Sequence, residues 1–277
     1  MNKPYVLGHS DRELDRLDLQ GLIYQDITRR ALLNSEVKPG MRVLDIGCGS
    51  GDVTRLAAEI VGPSGAVLGL DVDERAVLSA RERAAQWGLT NVAFEVAEAT
   101  SFAGQAAFDA LVGRFVLMHQ PSPAETLARA SKAVRPGGVV MMLESHMAAL
   151  LDGRHSFPKS DLYDRIVRWK CRVVAAAGAD IEAGLALRQT FLSAMLPAPM
   201  MRLEAVVEGG PDSLIYRYMA ESVRSMLPMA AAHKIDGFSL DEAAHLETQL
   251  RDEVTANRGA LVCWPVVSAW RRIPDGE

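Results

Sequence analysis

Three alternate glycines, Gly47, Gly49 and Gly51, end the apolar run in VLDIGCGSGD, and an acidic residue, Asp45, lies two positions before the first of them. These residue types at this spacing suit a nucleotide-type ligand, because glycines allow the tight turn and close backbone approach that such a ligand needs. Helix-compatible TRLAAEIV follows at once, so the loop opens a helix whose free N–H groups and dipole attract anionic groups. The dinucleotide fingerprint places glycines at the first, third and sixth positions, and the sixth position here is Asp52. Asp45 would also crowd a pyrophosphate, whereas it suits a cation. A second carboxylate, Asp71, closes the apolar strand AVLGLD just before Val72, where it can accept both hydroxyls of a ribose. Asp73 reads as the cap of the following helix.

Behind these residues stand elements legible from their patterns. VLDI is a buried parallel strand, and AVLGLD and NVAFEV are the next two strands, the latter running into Ala97, Glu98 and Ala99. FDALVGRFVLMH and RPGGVVMMLE have the form of a fourth and fifth strand, MMRLEAVVEG of a sixth and GALVCWPVVSAW of a seventh. One or two helices precede the first strand between Ser10 and Leu33, opened by a capping box, Ser10 with Glu13. Between the fifth and sixth strands, LYDRIVRWKCRVVAAAG and ADIEAGLALRQTFLSAML are helical by spacing. A second capping box, Ser239 with Glu242, opens a helix before the seventh.

From Val37 to Glu144 these segments, in order, resemble the motifs of class I S-adenosylmethionine-dependent methyltransferases. The turn GRFVLMHQPSP is closest to the branch that methylates small metabolites, of the ubiquinone, menaquinone and natural-product type. The resemblance implies an α/β fold, a doubly wound, seven-stranded, mostly parallel Rossmann-like sheet with N-terminal helices and a helical lid. It divides the chain into an N-terminal helical cap, 1–36, and a methyltransferase domain, 37–277, with helical insertions at about 145–199 and 211–257. The implied methyl donor is S-adenosyl-L-methionine and the product S-adenosyl-L-homocysteine. Gly47, Cys48, Gly49 and Gly51 would lie along the donor, Asp45 near its cationic part, and Asp71 and Val72 at the ribose. Ala97, Glu98 and Ala99 would face the adenine, and Arg114 would lie beneath. Tyr24 and Gln25, on the N-terminal helices, are expected over the donor, the alternative for Tyr24 being packing on the sheet. Cys48 reads as a small filler, not a nucleophile.

Methyl transfer to a hydroxyl or amine calls for a base. His119 after the fourth strand, and Glu144 and His146 after the fifth, stand at the sheet edge where ligands bind; His119 is the leading candidate, with a purely structural role in the turn as its alternative. Tyr163 and Trp169 are expected to line the acceptor pocket, although aromatics at helical spacing are more often core. The acceptor is expected to be a small, partly apolar metabolite, as in secondary metabolism, methylated on O, N or C. Two other readings share the first half of the chain: a non-catalytic S-adenosylmethionine-binding regulatory or scaffold protein, and a NAD-dependent oxidoreductase, which the glycine spacing and Asp45 disfavour.

Composition agrees with an enzyme of this kind. The 277 residues are 49% hydrophobic, enough for a large core, and a net charge of -5 argues against a nucleic-acid partner. The absence of an Asn/Asp-Pro-Pro-aromatic turn after the fourth strand points the same way. Three widely spaced cysteines indicate neither a disulfide framework nor a metal cluster. No apolar run suits a signal peptide or a membrane span, so a cytoplasmic location away from membranes is expected. The methionines Met219, Met226 and Met229 suit a substrate pocket or a homodimer face equally well.

Overall fold

The computed structural model describes residues 11–102, 104, 106–153 and 155–275, without the side chains of residues 11–14. The chain forms two compact units. Among the described residues, one comprises 24–144, 183–203 and 267–275; the other comprises 11–23, 145–182 and 204–266. The expected boundary at 36/37 therefore falls inside a unit, and the expected insertion 145–199 is divided between the two.

The order of elements is α1 (Asp11–Asn34), β1 (Arg42–Ile46), α2 (Asp52–Val61), β2 (Ala66–Asp71), α3 (Glu74–Gln86), β3 (Val92–Val96), β4 (Phe108–Arg114), α4 (Pro123–Ala130) and β5 (Val134–Ser145). These are followed by β6 (Ser156–Phe157), α5 (Asp161–Ala176), α6 (Ala183–Ser193), β7 (Met200–Glu204), β8 (Val207–Glu208), α7 (Leu214–Ala232), α8 (Leu240–Ala256), β9 (Ala260–Val262) and β10 (Val266–Arg272).

The unit that carries the glycine loop is built on a seven-stranded sheet in the order β3-β2-β1-β4-β5-β10-β7. β1 pairs in parallel with β2 on one side and β4 on the other. The order reverses between β1 and β4, which is where doubly wound sheets open a ligand crevice at their carboxyl ends. Val43, Leu44 and Ile46 of β1 are fully buried, as expected of a strand covered on both faces. Leu44, Ile46, Leu111, Val140 and Met142 pack with Leu127 of α4 and with Leu187 and Phe191 of α6 in one core cluster. α6 is thus part of this core and not of a lid, because its apolar residues recur at helical spacing toward the sheet. Asp73 caps α3, accepting the amides of Arg75 (2.8 Å) and Ala76 (3.0 Å).

The other unit contains α5, α7 and α8 and a small sheet in the order β6-β9-β8, antiparallel throughout. The capping box opens α8 as expected: Ser239 Oγ accepts the Glu242 amide (3.1 Å) and Glu242 accepts the Ser239 amide (2.8 Å). The Ser10–Glu13 box lies outside the described residues. The expected sixth strand is two strands, β7 and β8, and the expected seventh is also two, β9 and β10. Pro265 explains the second division, since a proline has no N–H to give to a central ladder.

Candidate functional site

The loop after β1 is held from both sides. The Cys48 amide donates to Leu70 O (2.9 Å) at the end of β2, and the Gly51 amide returns to Cys48 O (2.9 Å). Gly47 and Gly49 have φ of 62° and 52°, the left-handed region that disfavours any side chain. They are needed for different reasons. A Cβ at Gly47 would stand 2.5 Å from Val116 Cγ2, whereas a Cβ at Gly49 would meet nothing within 4 Å. Gly47 is bare because protein packs on it; Gly49 faces open space, as a loop that must approach a ligand would. Cys48 is 3% exposed and packs with Val77, Ala80 and Phe94. Burial, then the nearby carboxylates of Asp45, Asp71 and Asp52, push its thiol well up, so it is a filler and not a nucleophile.

Asp45 is 1% exposed. Its Oδ2 accepts the Thr54 hydroxyl (2.6 Å) while its Oδ1, also buried, has no hydrogen-bond partner among the described residues. Burial raises its pKa to about 7, against the lowering effect of the Thr54 hydrogen bond. A buried carboxylate with an open oxygen is a receptor for a cationic group. Asp71, partly buried, accepts the Gly49 amide on Oδ2 (2.9 Å) and the Asp73 amide on Oδ1 (3.0 Å). Each oxygen keeps a second lone pair for a further donor. The chain beyond β3 stays beside it, with the Ala97 amide on Asp71 O (2.9 Å). Val72 is 56% exposed and Glu98 is exposed, while Ala97 and Ala99 are partly buried.

On the other side of β1, β4 ends in Arg114 and turns through Phe115, whose φ is 58°. Arg114 is ion-paired with Asp52 at the start of α2 and donates to Thr28 Oγ1 of α1 (3.0 Å). Thr28 Oγ1 in turn donates to Tyr24 O (2.8 Å), and the Tyr24 ring, 1% exposed, meets Phe115 edge-on at 5.5 Å. Gln25 Oε1 accepts from Arg55 (3.0 Å). This end of α1 is therefore fastened to the mouth of the crevice through Arg114. His119 ends a short 3-10 turn, Leu117–His119, and is half-buried.

Glu144, Tyr163 and Trp169 depart from expectation. Glu144 is wholly buried, and its carboxylate accepts the amides of Val116 (3.0 Å), Leu117 (2.8 Å) and Met118 (3.3 Å); oxygens so engaged are turn anchors and not a base open to an acceptor. His146 belongs to the other unit, where its amide donates to Pro265 O (2.8 Å) and its buried Nδ1 has no hydrogen-bond partner among the described residues. Tyr163 and Trp169 are core residues of that unit. Tyr163 is fully buried with its hydroxyl donated to Val262 O (2.8 Å), and Trp169, 3% exposed, is packed by Phe238 at 5.3 Å. Thr54, Asp52, Thr28 and Val116 were not singled out from the sequence. Asp52 alone carried a signal, as an acid at the first turn of the helix after the loop.

The fold and the loop define a doubly wound domain built for a nucleoside cofactor. Residues 37–184 match the family model described as a methyltransferase domain, and the chain belongs to this family, the class I S-adenosylmethionine-dependent methyltransferases. It is 35% identical over 135 residues to the aklanonic acid methyltransferase DauC of Streptomyces sp. (strain C5), covering 48% of this chain and 60% of that one. It is 34% identical over 128 residues to the ubiquinone/menaquinone biosynthesis C-methyltransferase UbiE of Ectopseudomonas mendocina (strain ymp), covering 46% and 50%. The chain spans about half the length of the curated relatives it matches. A methyltransferase-fold crystal structure from Bacillus halodurans C-125 superimposes with a TM-score of 0.57 over 89% of this chain and 98% of that one, at 13% identity, which shows the shared fold. The open oxygen of Asp45, the unobstructed Gly49 and the free lone pairs of Asp71 fit S-adenosylmethionine.

Proposed function

We propose that this protein transfers a methyl group from S-adenosylmethionine to a small, partly apolar metabolite, and that it serves secondary metabolism in the cytoplasm. The observation that carries the reading is the pairing of a buried, half-satisfied Asp45 with Asp71 on either side of a glycine loop open at Gly49. S-adenosylmethionine, when bound, supplies a methyl group already activated by the positive sulfur. The protein's own tasks are then to bind, to orient and to exclude water.

In this reading Gly47, Cys48, Gly49 and Gly51 present backbone to the donor. Asp45 receives its cationic part, and Asp71 with Val72 its ribose. Ala97, Glu98 and Ala99 border the adenine. Arg114 contributes through Asp52 and Thr28, keeping α1 with Tyr24 and Gln25 at the mouth. In the same reading His119 takes a proton from a hydroxyl or amine acceptor. The acceptor class is suggested by relatives named for aklanonic acid, nocamycin and ubiquinone or menaquinone biosynthesis.

The test is incubation with S-adenosylmethionine and a panel of aromatic polyketide acids, quinone precursors and small-metabolite extracts, read by mass spectrometry. A product heavier by one methylene, formed with S-adenosylhomocysteine, supports the reading. Donor binding without any such product across the panel and extracts favours a non-catalytic binder.

A further inference from the structure

Four consecutive amides after β4 are held by β5. Phe115 donates to Leu143 O (2.9 Å), and Val116, Leu117 and Met118 donate to the Glu144 carboxylate. The first of these residues is in the left-handed region, at φ 58°, so the chain turns sharply there without help from a glycine. Three N–H donors converge on the side chain of one wholly buried residue, and a buried donor left without its acceptor is costly.

We infer that Glu144 is a positioning residue that couples the acceptor side of the site to the cofactor loop through Val116. By gathering the amides at the head of the turn Leu117–His119, Glu144 sets how far that turn projects. It thereby seats the Val116 side chain over the bare face of Gly47, at the place where a Cβ would come within 2.5 Å of Val116 Cγ2. The turn bearing His119 and the loop bearing Gly49 then move as one body. A carboxylate suits this task where a neutral amide would not, because every atom presented to the three N–H groups must accept.

The inference rests on the cofactor reading above, and the probe is S-adenosylhomocysteine. In Glu144→Gln the side-chain NH2 meets an amide donor, so affinity should fall about tenfold, the loss expected when one buried N–H is left without its acceptor. A thermal melt of each variant confirms that it is folded at the titration temperature. Val116→Ala should also weaken binding, and the double variant should be no weaker than the weaker single one, because both changes break the same link. Amide exchange of Val116, Leu117 and Met118 should be slow in the wild type and fast in Glu144→Gln. Multiplicative losses in the double variant, or wild-type affinity in Glu144→Gln, would overturn the proposal. If Glu144→Gln does not fold, Val116→Ala decides: weakened binding with the three amides still protected supports the coupling, and unchanged binding overturns it. A wild-type protein that does not bind the probe at all would instead remove the cofactor reading, and this inference with it.

Discussion

Gly47 and Gly49 are two residues apart in one loop, both at positive φ, yet the structure requires them for unlike reasons and their alanine variants should fail in unlike ways. In Gly47→Ala the new Cβ costs roughly 1–2 kcal/mol for the left-handed backbone. It also lies 2.5 Å from Val116 Cγ2, an overlap that must be relieved by moving the loop or the turn, at roughly a further 1–3 kcal/mol. The sum, about 2–5 kcal/mol, is a large part of a typical domain's stability. Gly49→Ala carries only the backbone term, since nothing stands within 4 Å of the added atom. Its Cβ instead enters the space that the proposed cofactor would use. Denaturant unfolding without ligand should therefore rank wild type above Gly49→Ala above Gly47→Ala. Titration of the folded variants with S-adenosylhomocysteine should show Gly49→Ala severely weakened. Adding Val116→Ala to Gly47→Ala should restore part of the stability, because it removes the overlapping methyl. If Gly49→Ala bound the ligand like the wild type, or if Gly47→Ala were as stable as Gly49→Ala, the assignment of packing to one glycine and ligand approach to the other would be wrong.

Asp45 is pushed from 3.8 up to about 7 by burial, so the folded protein holds its proton more tightly than the unfolded chain does. Stability without ligand should then fall as pH rises between those values and level off above them, and Asp45→Asn should abolish that slope. A cationic ligand favours the ionised form, so S-adenosylmethionine affinity should rise with pH up to about 7, by no more than tenfold per pH unit; a flat profile in pH-dependent calorimetry would exclude Asp45 from the cation's vicinity. His119→Ala should reduce turnover of an identified acceptor by about a hundredfold with donor affinity nearly unchanged, and an equal loss of both would count against a base role. Gly237→Ala would place a Cβ 2.1 Å from Trp169 Cδ1 and should destabilise the protein by roughly 1–3 kcal/mol. An unchanged melting temperature would mean that Trp169 is free to move, as a pocket wall is and a core residue is not.

The geometry of the glycine loop was legible because it depends on local spacing. VLDIGCGSGD specifies the turn, and AVLGLD ends at the place where its last residue, Asp71, meets the loop as a partner of the Gly49 amide. The Asp73 cap was readable for the same reason, since a cap bonds within three residues of itself. What was not legible depends on contacts distant in sequence. Glu144 looked like a candidate base because its position at a strand end was visible, whereas the three amides it anchors lie 26 to 28 residues earlier. Tyr163 and Trp169 carried the correct helical spacing, but that spacing does not say whether the covered face meets a ligand or a core. The break between β7 and β8 falls at Ala205 and Val206, which carry no turn signal, while Pro265 did mark the break between β9 and β10.

The loop between β1 and α2, with Asp45 and Asp71, is proposed above as the site for S-adenosylmethionine. Calorimetric titration of the intact protein with S-adenosylmethionine and with S-adenosylhomocysteine tests it most directly. One saturable site for which the two compete is expected, with an affinity lowered at least about tenfold in Asp71→Ala, which loses partners for buried hydroxyls. Absence of binding by the wild type, or binding that is untouched by Asp71→Ala, would contradict it.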